Sequence, residues 1–211
     1  IAEIGDRVSD ADRIFVDGKR VNSKRGAEGR KHRYLLYNKP ENEICAKKDP
    51  QGRSTVFDKL PALKHGRWIS VGRLDFNTTG LLLFTTDGDI ANQLTHPSSM
   101  IEREYAVRVM GSVDSGMIKN MYEGVVIDGA VCRFTDIQYF GGEGLNRWYH
   151  VVVMTGKNRE VRKLWESQGV KVSRLKRVRF GPIFMPSTLR RGRFQELSRK
   201  EIGKLLGSIK T

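Results

Sequence analysis

Residues 68–88 read WISVGRLDFNTTGLLLFTTDG. Trp68-Ile69-Ser70-Val71 and Leu81-Leu82-Leu83-Phe84 are short apolar runs of strand length. Between them, Gly72 and Gly80 enclose one arginine, one carboxylate and three short polar side chains. Glycine at both ends permits sharp turns, so the spacing predicts two strands joined by a tight polar loop that carries Asp75. Asp87-Gly88-Asp89 follows at once and opens a predicted helix through Leu94, because either carboxylate can accept from the free N–H groups of a first turn.

Working outward, Tyr34-Leu35-Leu36-Tyr37 is a predicted strand stopped by Asn38-Lys39-Pro40. Residues 103–110 alternate, with Tyr105, Val107 and Val109 on one face, and read as a strand. Residues 114–123 have Met117, Ile118, Met121 and Tyr122 at helical spacing. Residues 148–154 form a strand. Residues 158–168 form a helix that Asn158 can cap, with Val161, Leu164, Trp165 and Gln168 on one side and Gly169 at its end. Residues 172–180 are extended. Ser198 and Glu201 make a capping box before Ile202, Leu205, Leu206 and Ile209. Strands and helices intermix without a regular βαβ rhythm. The expected fold is therefore α+β, a mixed, largely antiparallel sheet with flanking helices.

Ahead of this domain, Ile14, Val16 and Val21 flank the hairpin turn Asp17-Gly18. One hairpin does not stand alone, so residues 1–23 read as the end of a small module or an edge of the main domain. Residues 24–33, KRGAEGRKHR, have the composition of a basic linker. The main domain is expected over residues 34–211.

The chain has 211 residues, 38 Lys plus Arg and 24 Asp plus Glu, for a formal charge of +14. A polyanion relieves that self-repulsion, which makes nucleic acid the expected partner. No stretch approaches the roughly 20 apolar residues of a membrane span. Ile1 opens a polar segment rather than a secretory leader, and the missing initiator Met suggests residues upstream. Cys45 and Cys132 lie far apart, and His32, His65, His96 and His150 are scattered. These spacings match no disulfide scaffold and no metal site, and they suit a reducing, cytoplasmic compartment. Neither GxxxxGK[ST] nor GxGxxG occurs, so no nucleotide or flavin cofactor is implied.

Three segments carry candidate chemistry. The loop from Gly72 to Gly80 holds a lone acid between strands that would fix it. By composition alone, a turn with Asp75 as a cap or as the partner of Arg73 is the commoner case. Residues 155–163, TGKNREVRK, lead a glycine turn into a basic helix N-terminus. That charge opposes the helix dipole unless an acid or phosphate sits there. The third feature is a set of basic strips: Lys171, Arg174, Lys176, Arg177 and Arg179; Arg190, Arg191 and Arg193; and a further group from Lys19 to Arg33. Such strips neutralise phosphates. Phe180 and Phe194 beside them read as core.

Residues 71–88, VGRLDFNTTGLLLFTTDG, resemble the signature of the RNA pseudouridine synthases of the RsuA/RluB type. So do YLLYNKP at 34–40, HPSSMIEREYAV at 96–107 and TGKNREVRKLW at 155–165, in the family's order. DPQGRSTVFDKLP and GGEGLNRWY resemble most the branch that modifies large-subunit ribosomal RNA. The resemblance implies isomerisation of a specific, flipped-out uridine to pseudouridine, with no metal and no organic cofactor. It also implies a bacterial, cytoplasmic protein involved in ribosome biogenesis, expected to be a monomer. Asp75 matches the essential catalytic aspartate, which attacks C1′ or C6 or deprotonates C2′. Tyr105 matches the tyrosine that packs on the target base. Arg162 matches the basic residue that pairs with the aspartate, and Leu164 a pocket-wall leucine. Arg73 shares the catalytic loop and joins the expected substrate-binding set. Lys39-Pro40 matches a structural motif. Arg103 stands where many relatives carry Lys. Residues 1–23 match only the last hairpin of the family's αL RNA-binding module. Two other classes compete: a noncatalytic ribosomal RNA-binding or assembly factor, and a glycosylase that would need a placed water and a second carboxylate.

Overall fold

The computed structural model describes residues 13–21 and 32–209. The chain divides into two units, Ile1–His32 and Arg33–Thr211. In the first, β1 (Ile14–Val16) and β2 (Lys19–Val21) pair antiparallel. Asp17 and Gly18, at φ 50° and 71°, make the two-residue turn as expected. The rest of the predicted segment 1–23, and residues 24–31 of the linker, lie outside the described residues.

The second unit is built on a nine-stranded sheet. Its strands are β3 (Tyr34–Lys39), β4 (Ile69–Val71), β5 (Thr79–Thr85), β6 (Arg103–Met110), β9 (Asp136–Glu143), β10 (Asn146–Val153), β11 (Lys171–Phe180), β12 (Ile183–Phe184) and β13 (Phe194–Glu196). A separate hairpin pairs β7 (Val125–Ile127) with β8 (Ala130–Cys132). The main path runs β13-β3-β5-β11-β6-β10-β9, with β4 on β5 and β12 on β11. Only the β5–β11 pair is parallel, so the α+β, largely antiparallel expectation holds. The helices are α1 (Gly88–Thr95), α2 (Ser115–Glu123), α3 (Glu160–Glu166) and α4 (Arg199–Gly207).

The continuous apolar run of β5 is buried at every position, as a strand covered on both faces must be. On one face Leu82 and Phe84 join Val107, Val109, Tyr149 and Val151, packed against Val161, Leu164 and Trp165 of α3. On the other, Leu81 and Leu83 pack under Ala91 and Leu94 of α1 and Leu205 of α4. Each such buried side chain contributes roughly 1.5–3 kcal/mol. β6 alternates buried and half-buried residues, so its Tyr105, Val107 and Val109 share the inner face as expected.

Several boundaries differ from the sequence expectation. β3 continues through Asn38 and Lys39, because Asn38 N donates to Arg193 O at 3.0 Å and its carbonyl accepts from Gly192 N at 2.7 Å. Trp68 lies outside β4, and its indole N–H donates to Pro61 O at 2.8 Å. Asp87 rather than Asp89 caps α1, accepting from the Asp89 and Ile90 amides. Helix α3 starts at Glu160 instead of Asn158. Arg159 precedes it in the left-handed conformation with no side-chain cap, and the Glu160 carboxylate turns back to accept from Thr155 Oγ1 (2.6 Å) and Lys157 N (3.1 Å). The Ser198–Glu201 capping box is present, but Leu206 is on the exposed side of α4. Phe180 is core and Phe194, on edge strand β13, is exposed.

Candidate active site

The loop from Gly72 to Thr78 is held by its own carbonyls. Lys39, fully buried at the end of β3, donates from Nζ to Pro40 O (2.9 Å), Asp75 O (3.1 Å), Phe76 O (3.4 Å) and Thr78 O (3.0 Å). Burial pushes its pKa down, opposed in part by the negative charges of Glu43 and Asp75. Arg162, from α3, donates Nη2 to Asn77 O at 3.2 Å and Nη1 to Val172 O at 3.1 Å. Four successive carbonyls of the loop therefore accept from buried cations. Thr78 N closes the turn onto Asp75 O at 3.0 Å. Downstream, Gly80 (φ 103°) lets β5 approach β11, since a Cβ there would lie 2.2 Å from Arg177 O. A rigid loop so fixed leaves the Asp75 carboxylate one-third exposed, with Oδ2 3.8 Å from Arg159 Nη1.

Asp75 opens into a cavity of about 130 Å³ between the loop, β6 and the start of α3. Tyr105, 8% exposed, lines it from the sheet side together with Val153 and Leu175, and Val161 lines it from α3. Five cations line it (Arg73, Arg103, Lys157, Arg159 and Arg177) against two carboxylates, Asp75 and Glu160. An excess of that sign in a cleft favours a phosphorylated ligand. Two of the cations are built into the wall. Arg103 donates Nη1 to Ile101 O (2.8 Å) and Met154 O (2.7 Å), and burial lowers its pKa. Glycine suits position 156 beside it, because φ is 66° there and a Cβ would press on the Arg103 side chain, 3.0 Å from Nε. Arg177 donates Nε to Leu81 O at 2.7 Å, while its buried Nη2 has no hydrogen-bond partner among the described residues. A second cavity of about 460 Å³ shares Arg73, Asp75 and Arg159 and continues past Cys45 and Phe76. Burial pushes the Cys45 thiol up, so it is not poised as a thiolate nucleophile. Among the described residues no group of three His, Cys, Asp or Glu could hold a metal ion, and no helix is long and apolar enough to cross a membrane.

Of the expected site residues, Asp75, Tyr105 and Arg73 meet at one cavity. Arg162 is buried in the same neighbourhood, and the Asp75 charge acts on it. Its guanidinium is committed to two carbonyls, however, and the ion pair of Asp75 is made by Arg159. Leu164 is fully buried in the core and lines neither cavity; Val161, one turn earlier, supplies that wall. Sequence reading placed Arg159 only in a basic helix start and Arg177 only in a phosphate-neutralising strip, and it gave Glu160 no role. The one signal for Arg159 was the basic first turn, which opposed the helix dipole without a visible partner.

Residues 33–167, which include this loop, Tyr105 and all of α3, match the family described as RNA pseudouridylate synthase. The chain belongs to that family. It is 57% identical over 203 residues to ribosomal large subunit pseudouridine synthase B of Pseudomonas aeruginosa, covering 96% of this chain and 52% of that protein. It is 51% identical over 211 residues to the protein of the same name from Salmonella typhimurium, covering 99% and 72%. The chain thus spans about half the length of the first of these relatives. A solved pseudouridylate synthase shares the fold, with a TM-score of 0.73 at 24% identity over 94% of this chain and 82% of that one. As a pseudouridylate synthase domain, the chain bears out the resemblance drawn from the motifs at 34–40, 71–88, 96–107 and 155–165.

Proposed function

We propose that the protein isomerises a specific uridine of large-subunit ribosomal RNA to pseudouridine, with Asp75 as the essential group. The observation that carries this reading is a single carboxylate on a rigid loop, opening into a small cavity under an aromatic ring and ringed by cations. The reaction breaks C1′–N1 and forms C1′–C5, and the C5 proton leaves as N1 gains one. Asp75 acts by attack on C1′ or C6, or by removing the C2′ proton. Arg159 offsets its negative charge at 3.8 Å. The target lies in folded RNA and must leave its stack, and the Tyr105 ring replaces that stacking. Arg73 and Lys157 suit the phosphates on either side of the flipped nucleotide. Base hydrolysis is less well supported. Glu160, the cavity's other acid, is committed to Thr155 and Lys157, leaving no free second carboxylate.

The test is incubation of the whole protein with unmodified large-subunit ribosomal RNA, read by carbodiimide mapping and mass spectrometry. Isomerisation leaves RNA mass unchanged and creates one carbodiimide stop. Loss of a base identifies a glycosylase, and binding without change identifies an assembly factor.

Two further outcomes follow from the site. Tyr105→Ala removes the stack, at about 1–3 kcal/mol of substrate flipping. It also empties a core position, so melting and turnover are measured together. Tyr105→Phe keeps the ring and is expected to be far less impaired, mainly after glycosidic cleavage. Parent-rate turnover by the Ala variant would return Tyr105 to a purely structural role. RNA affinity is expected to fall steeply with salt, by a log–log slope of about 0.7–0.9 for each phosphate neutralised. Exposed Arg73, Lys171, Arg174, Arg190, Arg191 and Arg193 leave several such contacts available. A slope near zero would mean that these side chains face only water.

A further inference from the structure

A uracil in the smaller cavity leaves the larger one open beside it, and the two meet at Asp75 and Arg159. The lining of the larger cavity combines two chemistries: Cys45, Ala46 and Phe76 are apolar, and Arg73, Lys157 and Arg159 are cationic. Phe76 directly follows the catalytic carboxylate and is 40% exposed. The exposed part of that side chain is left uncovered by the chain's own core, and a ligand that covers it removes apolar surface from water.

The backbone that carries the ring is also fixed. Phe76 O accepts from Asn42 N at 2.9 Å as well as from Lys39, so the backbone cannot swing away. The Arg53 guanidinium stands 5.8 Å from the ring centroid. Arg53 is itself locked to Asp49 by two hydrogen bonds of 2.9 Å. An aromatic ring on a fixed backbone, in one cavity with a cluster of cations, is the combination that takes an unpaired nucleotide: the ring stacks on the base, and the cations meet its phosphate. Chain connectivity selects which nucleotide. With C1′ of the target at Asp75, the next residue along the RNA is one phosphodiester away, within reach of the adjoining cavity.

We infer that the larger cavity is a specificity subsite that binds the unpaired base of a nucleotide directly adjacent to the target uridine, stacked on Phe76, with the connecting phosphate held by Arg73, Lys157 and Arg159. The inference rests on the proposed reaction.

The test uses the whole protein and a short RNA spanning the uridine that carbodiimide mapping identifies. Matched RNAs carry an abasic residue immediately 5′ or 3′ of that uridine. Phe76→Ala should lower kcat/KM on the intact RNA by about ten-fold or more, and Phe76→Trp should restore most of it. One of the two abasic RNAs should lower the parent protein's kcat/KM by a similar factor. That same abasic RNA should cost the Ala variant almost nothing further, because the stack is already gone. Unchanged kcat/KM for Phe76→Ala, or losses that multiply when both partners are removed, would overturn the subsite while leaving the isomerase standing. Absence of pseudouridine with the parent protein would instead overturn the proposed function itself.

Discussion

Asp75→Asn is expected to lower pseudouridine formation by about 10³-fold or more, with melting temperature and RNA affinity close to the parent's. The Asp75 carbonyl, which anchors the loop to Lys39 and Thr78, is untouched by the change. The side chain is one-third exposed, and its ion pair with Arg159 spans 3.8 Å. Exposed pairs of that kind are worth about 0–1 kcal/mol, so the fold loses little. What disappears is the only carboxylate in the loop. The measurement is single-turnover pseudouridine release with circular dichroism on the same preparation. Normal turnover by a folded Asn variant would remove Asp75 from the chemistry.

Arg162→Met is expected to lower kcat by about 10²-fold, the scale of a small misplacement of reacting groups, and to shift RNA affinity much less. Arg162 is 5% exposed and bridges Asn77 O in the loop that carries Asp75 to Val172 O on β11. Met fills similar space but donates nothing. Hydrogen bonds from a charged group contribute about 1.5–3 kcal/mol each, and Met recovers part of the loss through apolar burial. A net loss of about 2–4 kcal/mol in stability is therefore expected, several degrees in melting temperature for a domain of this size. Arg162→Lys should recover part of both effects. A variant with parental kcat but lowered stability would make Arg162 a fold residue with no hold on the position of Asp75.

Much of the architecture was legible where a pattern is local. The runs at 34–37 and 81–84, the alternation of 103–110 and the Ser198–Glu201 box each need only neighbouring residues to act, and each appears in the structure. β9 was not legible. DIQYFGGE contains two glycines and exposed aromatics, and it is a strand because β10 offers it a ladder with an irregularity between Arg147 and Tyr149. β13 is three residues long and exists by pairing with β3. Asn158 looked like a cap because its type favours one. The Glu160 carboxylate takes the bonds of that turn instead, leaving Arg159 left-handed and aimed at Asp75.

The sequence by itself determined the α+β class, the glycine-bounded loop that carries Asp75, the inward face of Tyr105 and the family. These depend on spacing, turn chemistry and side-chain type along short stretches. Tertiary structure decided which cations serve the site. The strip at 171–179 looks uniformly basic, yet folding buries Arg177 in the cavity wall and holds Arg179 between Glu102 and Glu104, leaving Lys171 and Arg174 exposed. Likewise Arg159 and Arg162 are one turn apart, but one faces the carboxylate and the other grips the loop's backbone. Both outcomes rest on pairing β11 with β5 across almost a hundred residues. That pairing brings together carbonyls, carboxylates and guanidiniums that no local pattern can sort, because the partner of a charge is set by distance in space and not by distance along the chain.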